Sequence, residues 1–194
     1  MNKKNLRFEE ITQENINVAT TIELKFFPDM CAYCSYEDSF KNNNRYWIVY
    51  DENDIVGITG IYENADLGEP NTCWMGWFGV LPEKRQCGYG KAILEKTIEI
   101  AKEMKYDTFR LYTSKILCPE AIFFYDKLMD FGEDYTSEEL ELQRRVYTKS
   151  LTDKPATKWK NKKLNLDYEK KREEKGMKKY LLSLKKQNSI KQKR

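Results

Sequence analysis

The sequence contains no histidine, which removes the side chain that proteins use most often as a general base and as a metal ligand. It also lacks any apolar run near the roughly 18 residues that a transmembrane helix requires. The first ten residues include basic side chains but no apolar stretch behind them, so we expect no signal peptide. These absences predict a cytoplasmic protein whose five cysteines are reduced.

The cysteines give little support to a metal site. Cys31 and Cys34 form a CxxC pair, but a second pair at zinc-finger spacing is missing. We therefore expect no metal. We interpret the pair as structural or incidental, with a redox or metal role as the alternative.

Charge is divided unevenly along the 194 residues. Residues 1–150 hold 18 basic and 26 acidic side chains, a net charge of −8, whereas residues 151–194 hold 16 and 5, a net charge of +11. A split of this kind marks an appendage with its own physical role. We predict one folded domain over residues 1–150 and a basic, helical extension over residues 151–194.

The hydrophobic pattern of the first 150 residues predicts a mixed sheet with helices on its faces, in the α/β class. The predicted strands cover residues 6–11, 45–50, 55–62, 73–80, 108–113, 131–135 and 142–148. The predicted helices cover residues 16–27, 36–41 and 90–105, and a further helix opens at Pro119.

The densest chemical signal is the segment Val80–Ala92, which lies between a predicted strand and a predicted amphipathic helix. A helix start presents free N–H groups and the positive end of the helix dipole, which together hold an anion. Gly88 can curl the loop, and Gly90 lets the backbone approach a ligand closely. A P-loop and a dinucleotide-binding fingerprint are excluded by the glycine spacing. A plain strand-to-helix turn is the alternative.

Three segments, in this order and spacing, resemble the GNAT superfamily of N-acetyltransferases. Arg85–Gly90 resembles the Arg/Gln-x-x-Gly-x-Gly/Ala motif, Trp74–Val80 resembles the strand before that motif, and Ala121–Leu128 resembles a later helix of the family. The resemblance covers roughly residues 5–150. It implies a mostly antiparallel mixed sheet with helices on both faces.

The resemblance also implies that acetyl-CoA is the acyl donor. Its pyrophosphate would lie on the amides of the loop formed by Arg85, Gln86, Cys87, Gly88, Tyr89, Gly90 and Lys91. The pantetheine arm would pair with the main chain of Phe78, Gly79 and Val80 like an added strand. Cys118 stands where the family often has an asparagine that contacts the cofactor.

Transfer to an amine needs an acid and a base. A lysine-like ammonium must lose a proton before it attacks, and the departing thiolate accepts one. By resemblance, Tyr125 matches the family tyrosine beside the cofactor sulfur, although it also lies on an apolar stripe and could be core. Glu63 is the first candidate base, with Asp66 and Glu69 as alternatives. Trp74 and Trp77 are candidates for lining the acceptor pocket, and strand alternation makes one of them core.

The sequence thus predicts an acetyl-CoA-dependent N-acetyltransferase that acts on an amine of a small molecule or a protein. One alternative is a non-catalytic CoA-binding sensor whose basic tail contacts nucleic acid. A nucleic-acid protein unrelated to CoA is the third hypothesis. A homodimer is compatible with the sequence.

The basic extension carries apolar residues as well as lysines. Its candidate anchors are Trp159, Leu164 and Tyr168, followed by a stripe at helical spacing of Met177, Tyr180, Leu181 and Leu184. We predict that this extension docks on acidic protein surface, of its own chain or of a second subunit. An anionic partner and a solvated tail are the alternatives.

Overall fold

Residues 4–63, 69–116, 118–137, 142–159 and 166–191 are described by the structure, which is a computed structural model. The strands are β1 Leu6–Glu10, β2 Arg45–Asp51, β3 Asp54–Tyr62, β4 Thr72–Met75, β5 Gly79–Val80, β6 Thr108–Ser114, β7 Phe131–Ser137 and β8 Leu142–Ser150. The helices are α1 Ile16–Glu23, α2 Tyr33–Ser39, α3 Tyr89–Glu103, α4 Pro119–Tyr125 and α5 Leu166–Lys191. This is the mixed α/β fold that the sequence predicts, with the C-terminal helix present.

The chain forms two compact units. The first unit comprises residues 1–60, 77–95 and 165–194, and the second comprises residues 61–76 and 96–164. Strand β3 and helix α3 each contribute residues to both units. No helix in the described part of the chain has the length and apolar character to cross a bilayer.

Strands β1, β2 and β5 and most of β3 belong to the first unit. β1 pairs antiparallel with β2, and β5 pairs antiparallel with β3, where Gly57 lies opposite Val80. Val49, Val56 and Ile93 are fully buried between these strands and the first turns of α3. Burial of such side chains is worth about 1.5–3 kcal/mol each, so this small core fixes β5 and the start of α3 against each other.

The second unit is built around β6. β4 pairs with β6 in parallel, and β8 lies antiparallel between β6 and β7. The inward side chains Phe109, Leu111 and Val146 are almost completely buried. The Tyr147 hydroxyl donates a hydrogen bond to the Asp126 carboxylate at 2.7 Å, which ties α4 to β8.

The strand predicted over residues 73–80 is two strands. β4 ends at Met75 and β5 begins at Gly79, because Trp77 between them has φ of 51°. A residue in the left-handed region cannot continue a pleated strand, and a bulky aromatic rarely adopts that conformation. Sequence alternation therefore gave no sign of this break.

Two helix boundaries also differ from the prediction. α1 ends at Glu23 rather than Phe27, because the N–H groups of Lys25 and Phe26 bond to carbonyl oxygens three residues back and tighten the chain before Pro28. α2 covers residues 33–39 rather than 36–41.

Helix α5 packs on α1 and α2 within the first unit. The predicted docking on acidic surface of the same chain is thus observed: Arg172 contacts Asp38 at 2.5 Å, and Lys179 pairs with Glu37. The predicted apolar stripe is only partly right, since Tyr180 is buried but Leu181 is 50% exposed.

Of the three apolar anchors predicted before the apolar stripe of α5, the structure describes the side chain of one. Trp159 is buried in the second unit, with its ring centroid 5.9 Å from that of Trp74 and 5.7 Å from that of Tyr135. Leu164 and the side chain of Tyr168 lie outside the described residues.

Candidate functional site

The loop between β5 and α3 begins with a short 3-10 helix, Pro82–Lys84. The Leu81 N–H donates to the Val56 carbonyl at 3.0 Å, so the first residue after β5 is still bound to β3. The Lys84 ammonium lies 2.6 Å from an Asp54 carboxylate oxygen. These two contacts fix the position from which the chain turns back into the helix.

The turn itself contains two residues with positive φ, which follow the extended residue Arg85. Gln86 has φ of 59° and Gly88 has φ of 81°. Residues with positive φ in a turn can point successive N–H groups into one concavity, which is the geometry of an anion-binding nest. Glycine adopts the conformation at no steric cost, whereas Gln86 adopts it against its preference. A strained residue at this point is a sign of function.

The nest continues directly into the first turn of α3. The Ala92 N–H donates to the Gly88 carbonyl at 3.2 Å, so Gly88 stands at the cap of the helix. The N–H groups of Tyr89, Gly90 and Lys91 therefore have no intrahelical acceptor and carry the positive end of the helix dipole. This arrangement can hold a phosphate group.

Several side chains of the loop bind other groups of the protein. The Arg85 Nε donates to the Val80 carbonyl at 3.2 Å, and the Lys91 ammonium lies 3.7 Å from Glu95. The Tyr89 hydroxyl donates to Asp51 at 2.5 Å, and this hydrogen bond raises the pKa of Tyr89 to about 12. The loop therefore offers backbone N–H groups, rather than an array of cationic side chains, as the groups that can bind an anion.

Strand β5 offers the second part of the predicted cofactor site. Its pairing with β3 occupies one edge of the strand in the first unit. A Cβ atom at Gly79 would lie 2.6 Å from the Phe26 ring, so only glycine fits between that ring and the strand. The ring centroid of Phe27 lies 5.9 Å from that of Trp77, in an edge-to-face arrangement.

Tyr125 ends α4 in the second unit. It is 6% exposed, and its ring centroid lies 5.4 Å from that of Tyr147 and 5.1 Å from that of Phe124. Burial is the main cause that raises the pKa of Tyr125, and the nearby Cys118 thiol adds to the shift. The hydroxyl stays protonated at neutral pH and can act as a proton donor.

The three candidate bases fall in different surroundings. Glu63 is exposed in the second unit and accepts a hydrogen bond from the Tyr106 hydroxyl at 2.6 Å. Glu69 forms an ion pair of 2.8 Å with Arg110, whose side chain is 2% exposed, so this carboxylate is committed to a buried cation. Asp66 lies outside the described residues.

Sequence reasoning missed the partners Tyr106 and Arg110. Arg110 lies on β6, where it also donates to the Thr157 carbonyl at 3.3 Å. An arginine between Phe109 and Leu111 could have drawn attention, because it requires a buried acceptor when the opposite face of the strand is buried as well. Tyr106 follows a helix end and offers no comparable signal.

Of the two tryptophans considered for the acceptor pocket, Trp74 is core. It is 1% exposed and packs against Trp159 and Tyr112 in the second unit. Among the described residues, no group of three or more histidine, cysteine, aspartate or glutamate side chains is arranged to hold a metal ion.

Comparison with known proteins gives one family and many similar structures. The sequence profile of the acetyltransferase (GNAT) family matches residues 12–131. A search of curated protein sequences found no match.

Three of the similar structures illustrate the range. An acetyltransferase of the GNAT family from Staphylococcus aureus Mu50 is 17% identical, with a TM-score of 0.58 over 76% of this chain and 99% of its own. The spermidine N-acetyltransferase of Vibrio cholerae, described as dodecameric, is 12% identical, with a TM-score of 0.61 over 77% and 95%. The ribosomal-protein-S18-alanine N-acetyltransferase of Escherichia coli is 9% identical, with a TM-score of 0.57 over 77% and 96%. At these identities the likeness concerns the fold alone.

Proposed function

Because the chain belongs to the acetyltransferase (GNAT) family, we propose that it transfers an acetyl group from acetyl-CoA to a primary amine. The observation that supports the donor is the nest of Gln86 and Gly88 at the start of α3. We assign the CoA pyrophosphate to the amides of residues 85–91. The pantetheine arm then runs along the main chain of Phe78, Gly79 and Val80.

The experiment that tests this proposal is calorimetry of acetyl-CoA binding to Gly88→Val. Valine is β-branched and disfavours φ of 81°, so the variant should disrupt the conformation of the nest. It should bind acetyl-CoA at least tenfold more weakly than the wild type. Gln86→Gly is the matched control, since it keeps the left-handed conformation and should bind like the wild type. Equal affinities of wild type and a folded Gly88→Val would refute the assignment.

The chemistry requires that the amine lose a proton and that the thiolate gain one. We propose Tyr125 as the acid, since its buried hydroxyl is protonated at neutral pH. We propose Glu63 as the base, acting directly or through water. The Tyr106 hydroxyl holds that carboxylate in place at the end of β3. The oxyanion of the tetrahedral intermediate would bind to amides near Val80.

The acceptor is proposed to be a cationic amine, because residues 1–150 carry a net charge of −8 and attract cations. Two of the similar structures are named for amine acceptors, spermidine in one and an alanine of a ribosomal protein in the other. A panel with spermidine, an alanine-terminated peptide and a lysine peptide, scored by CoA release, tests both kinds. Tight acetyl-CoA binding without turnover of any amine would favour the CoA-binding sensor instead.

Two further assignments stay proposals. A cytoplasmic location is supported by the five cysteines, none of which forms a disulfide bond. A homodimer is supported only by the oligomeric state in the description of the Vibrio cholerae enzyme.

A further inference from the structure

The inner face of α5 is fully engaged with the rest of the first unit. Ser183 exchanges hydrogen bonds of 2.8 and 3.0 Å with Asn17, and the Tyr180 and Thr21 hydroxyl groups lie 2.7 Å apart. A Cβ atom at Gly176 would lie 3.0 Å from the Cys31 carbonyl oxygen, so the helix crosses α2 at close range. These contacts fix the rotation of α5 about its own axis.

The fixed rotation turns a strongly basic face toward solvent. This outer face consists of the exposed residues Lys170, Lys171, Glu174, Lys175, Lys178, Leu181, Leu182, Lys185 and Lys186. It presents six lysines against one glutamate. At 1.5 Å per residue the lysines extend over about 24 Å.

The lysines of the outer face are gathered on one side of a single helix, whereas the exposed lysines Lys41, Lys102 and Lys127 lie on separate elements or loops. Several half-buried lysines elsewhere have a carboxylate partner, as in Lys96 with Glu99, Lys115 with Asp134 and Lys149 with Asp130. Among the described residues, none of the six outer-face lysines forms an ion pair, whereas Arg172 and Lys179 on the inner side do. Like charges three and four residues apart destabilise a helix by a few tenths of a kcal/mol per pair. An external polyanion would relieve this repulsion.

We propose that the outer face of α5 binds the phosphodiester backbone of nucleic acid. The charge of the face matches a linear array of phosphates, and lysines along one helix face can contact successive phosphates of one strand. The contacts are to backbone, so the face binds without sequence preference.

A lipid surface fits this face less well. Leu181 and Leu182 are 50% and 58% exposed, but consecutive residues point about 100° apart, and Lys178 and Lys185 lie between them around the helix. An interfacial helix needs a continuous apolar face, and here the apolar Tyr180 faces the protein instead.

The test is fluorescence anisotropy of a labelled 20-nucleotide single-stranded RNA and of a 20-base-pair DNA duplex, from 50 to 300 mM salt. The wild type should bind at least one of them, with a logarithmic salt slope of about −2 to −4 for the single strand. The variant Lys175→Ala/Lys178→Ala/Lys185→Ala should bind at least tenfold more weakly. Lys41→Ala/Lys102→Ala/Lys127→Ala is the matched control, because it removes the same charge from exposed lysines elsewhere and should bind like the wild type.

Three results would overturn the proposal. The first is no binding of either probe at 50 mM salt, and the second is equal loss in both triple variants. The third is binding to vesicles containing 30% phosphatidylserine, lost in Leu181→Ser/Leu182→Ser, without RNA or DNA binding. A dimer that dissociates in the outer-face variant, without binding of either probe, would assign the face to a second copy. Acetyl-CoA binding by both triple variants, measured in parallel, separates this outcome from failure of the proposed enzyme function.

Discussion

Among single residues, Tyr125 offers the sharpest test of the proposed chemistry. Tyr125→Phe keeps the ring contacts with Phe124 and Tyr147 and removes only the hydroxyl. If the hydroxyl protonates the thiolate, kcat should fall by about 10²- to 10⁴-fold, while the Kd of acetyl-CoA changes little. Steady-state kinetics with the best amine and calorimetry measure the two quantities.

Tyr147→Phe is the control for Tyr125, because the Tyr147 hydroxyl bonds to Asp126 and supports α4. It should lower the melting temperature without a comparable loss of kcat. A wild-type kcat in Tyr125→Phe would assign Tyr125 to the core alone. Glu63→Gln should lower kcat strongly, because an amide cannot accept the proton of the amine, whereas Tyr106→Phe keeps the carboxylate and should lower kcat much less.

Glu23 is an unusual residue that the sequence does not distinguish from other glutamates. It is completely buried at the end of α1. One carboxyl oxygen accepts the Ala32 N–H at 3.3 Å, and the other is buried with no hydrogen-bond partner among the described residues. Burial raises the pKa of Glu23 to about 8, and the negative charge of Glu173 on α5 adds to the shift.

This raised pKa predicts a pH-dependent stability. Glu23 is neutral in the folded protein and ionised in the unfolded chain between its ordinary pKa of 4.5 and about 8. Its contribution to the free energy of unfolding is therefore fully present below pH 4.5. It falls by on the order of 1 kcal/mol per pH unit as the pH rises through this window, and it levels off above the window. The melting temperature of the wild type should fall from pH 5 to 8 relative to Glu23→Gln. A constant difference between the two proteins would show that Glu23 is not neutral when buried.

At the scale of elements, the docking of α5 depends on the absence of a side chain at Gly176. Gly176→Val places a side chain against the backbone of Cys31 and Cys34, at 3.0 and 3.3 Å for its Cβ atom alone. The helix must shift outward, so we expect a melting temperature several degrees lower and faster reaction of both thiols with a thiol reagent. Lys178→Val, on the exposed side of the same helix, is the control and should change neither.

The elements that could be predicted from the sequence are those with a local sequence signal. The strand–loop–helix around Gly88, the helix after Pro119 and the β7–β8 pair are all present, because glycine, proline and alternating apolar residues act locally. The left-handed Trp77 and Gln86 were not predictable, since neither residue type favours that conformation. Hydrophobic periodicity also misjudged α5, whose contact line runs through Arg172, Gly176 and Ser183 rather than through a row of leucines.

At the scale of the whole molecule, charge composition proved informative about α5. The excess of acidic residues before position 150 and of basic residues after it predicted a docked, basic extension. The inner face of α5 fulfils that prediction with Glu37 and Asp38 as partners. Docking and an anionic partner are compatible, because they use opposite faces of the same helix. The proposed roles of Tyr125 and Glu63 stay predictions. The role of Tyr125 derives from family resemblance, and that of Glu63 from the absence of histidine and its position at the end of a strand.

A protein without histidine has an unusually simple proton balance near neutrality. Imidazole groups normally dominate proton exchange between pH 6 and 8. Here that background is absent, so the buried carboxyl of Glu23, with its pKa raised to about 8, is easier to detect. Unfolding at pH 7 should therefore release close to one proton to the buffer from this carboxyl. Potentiometry would record the opening of the α1–α2–α5 packing as acidification of the solution, without any label on the protein.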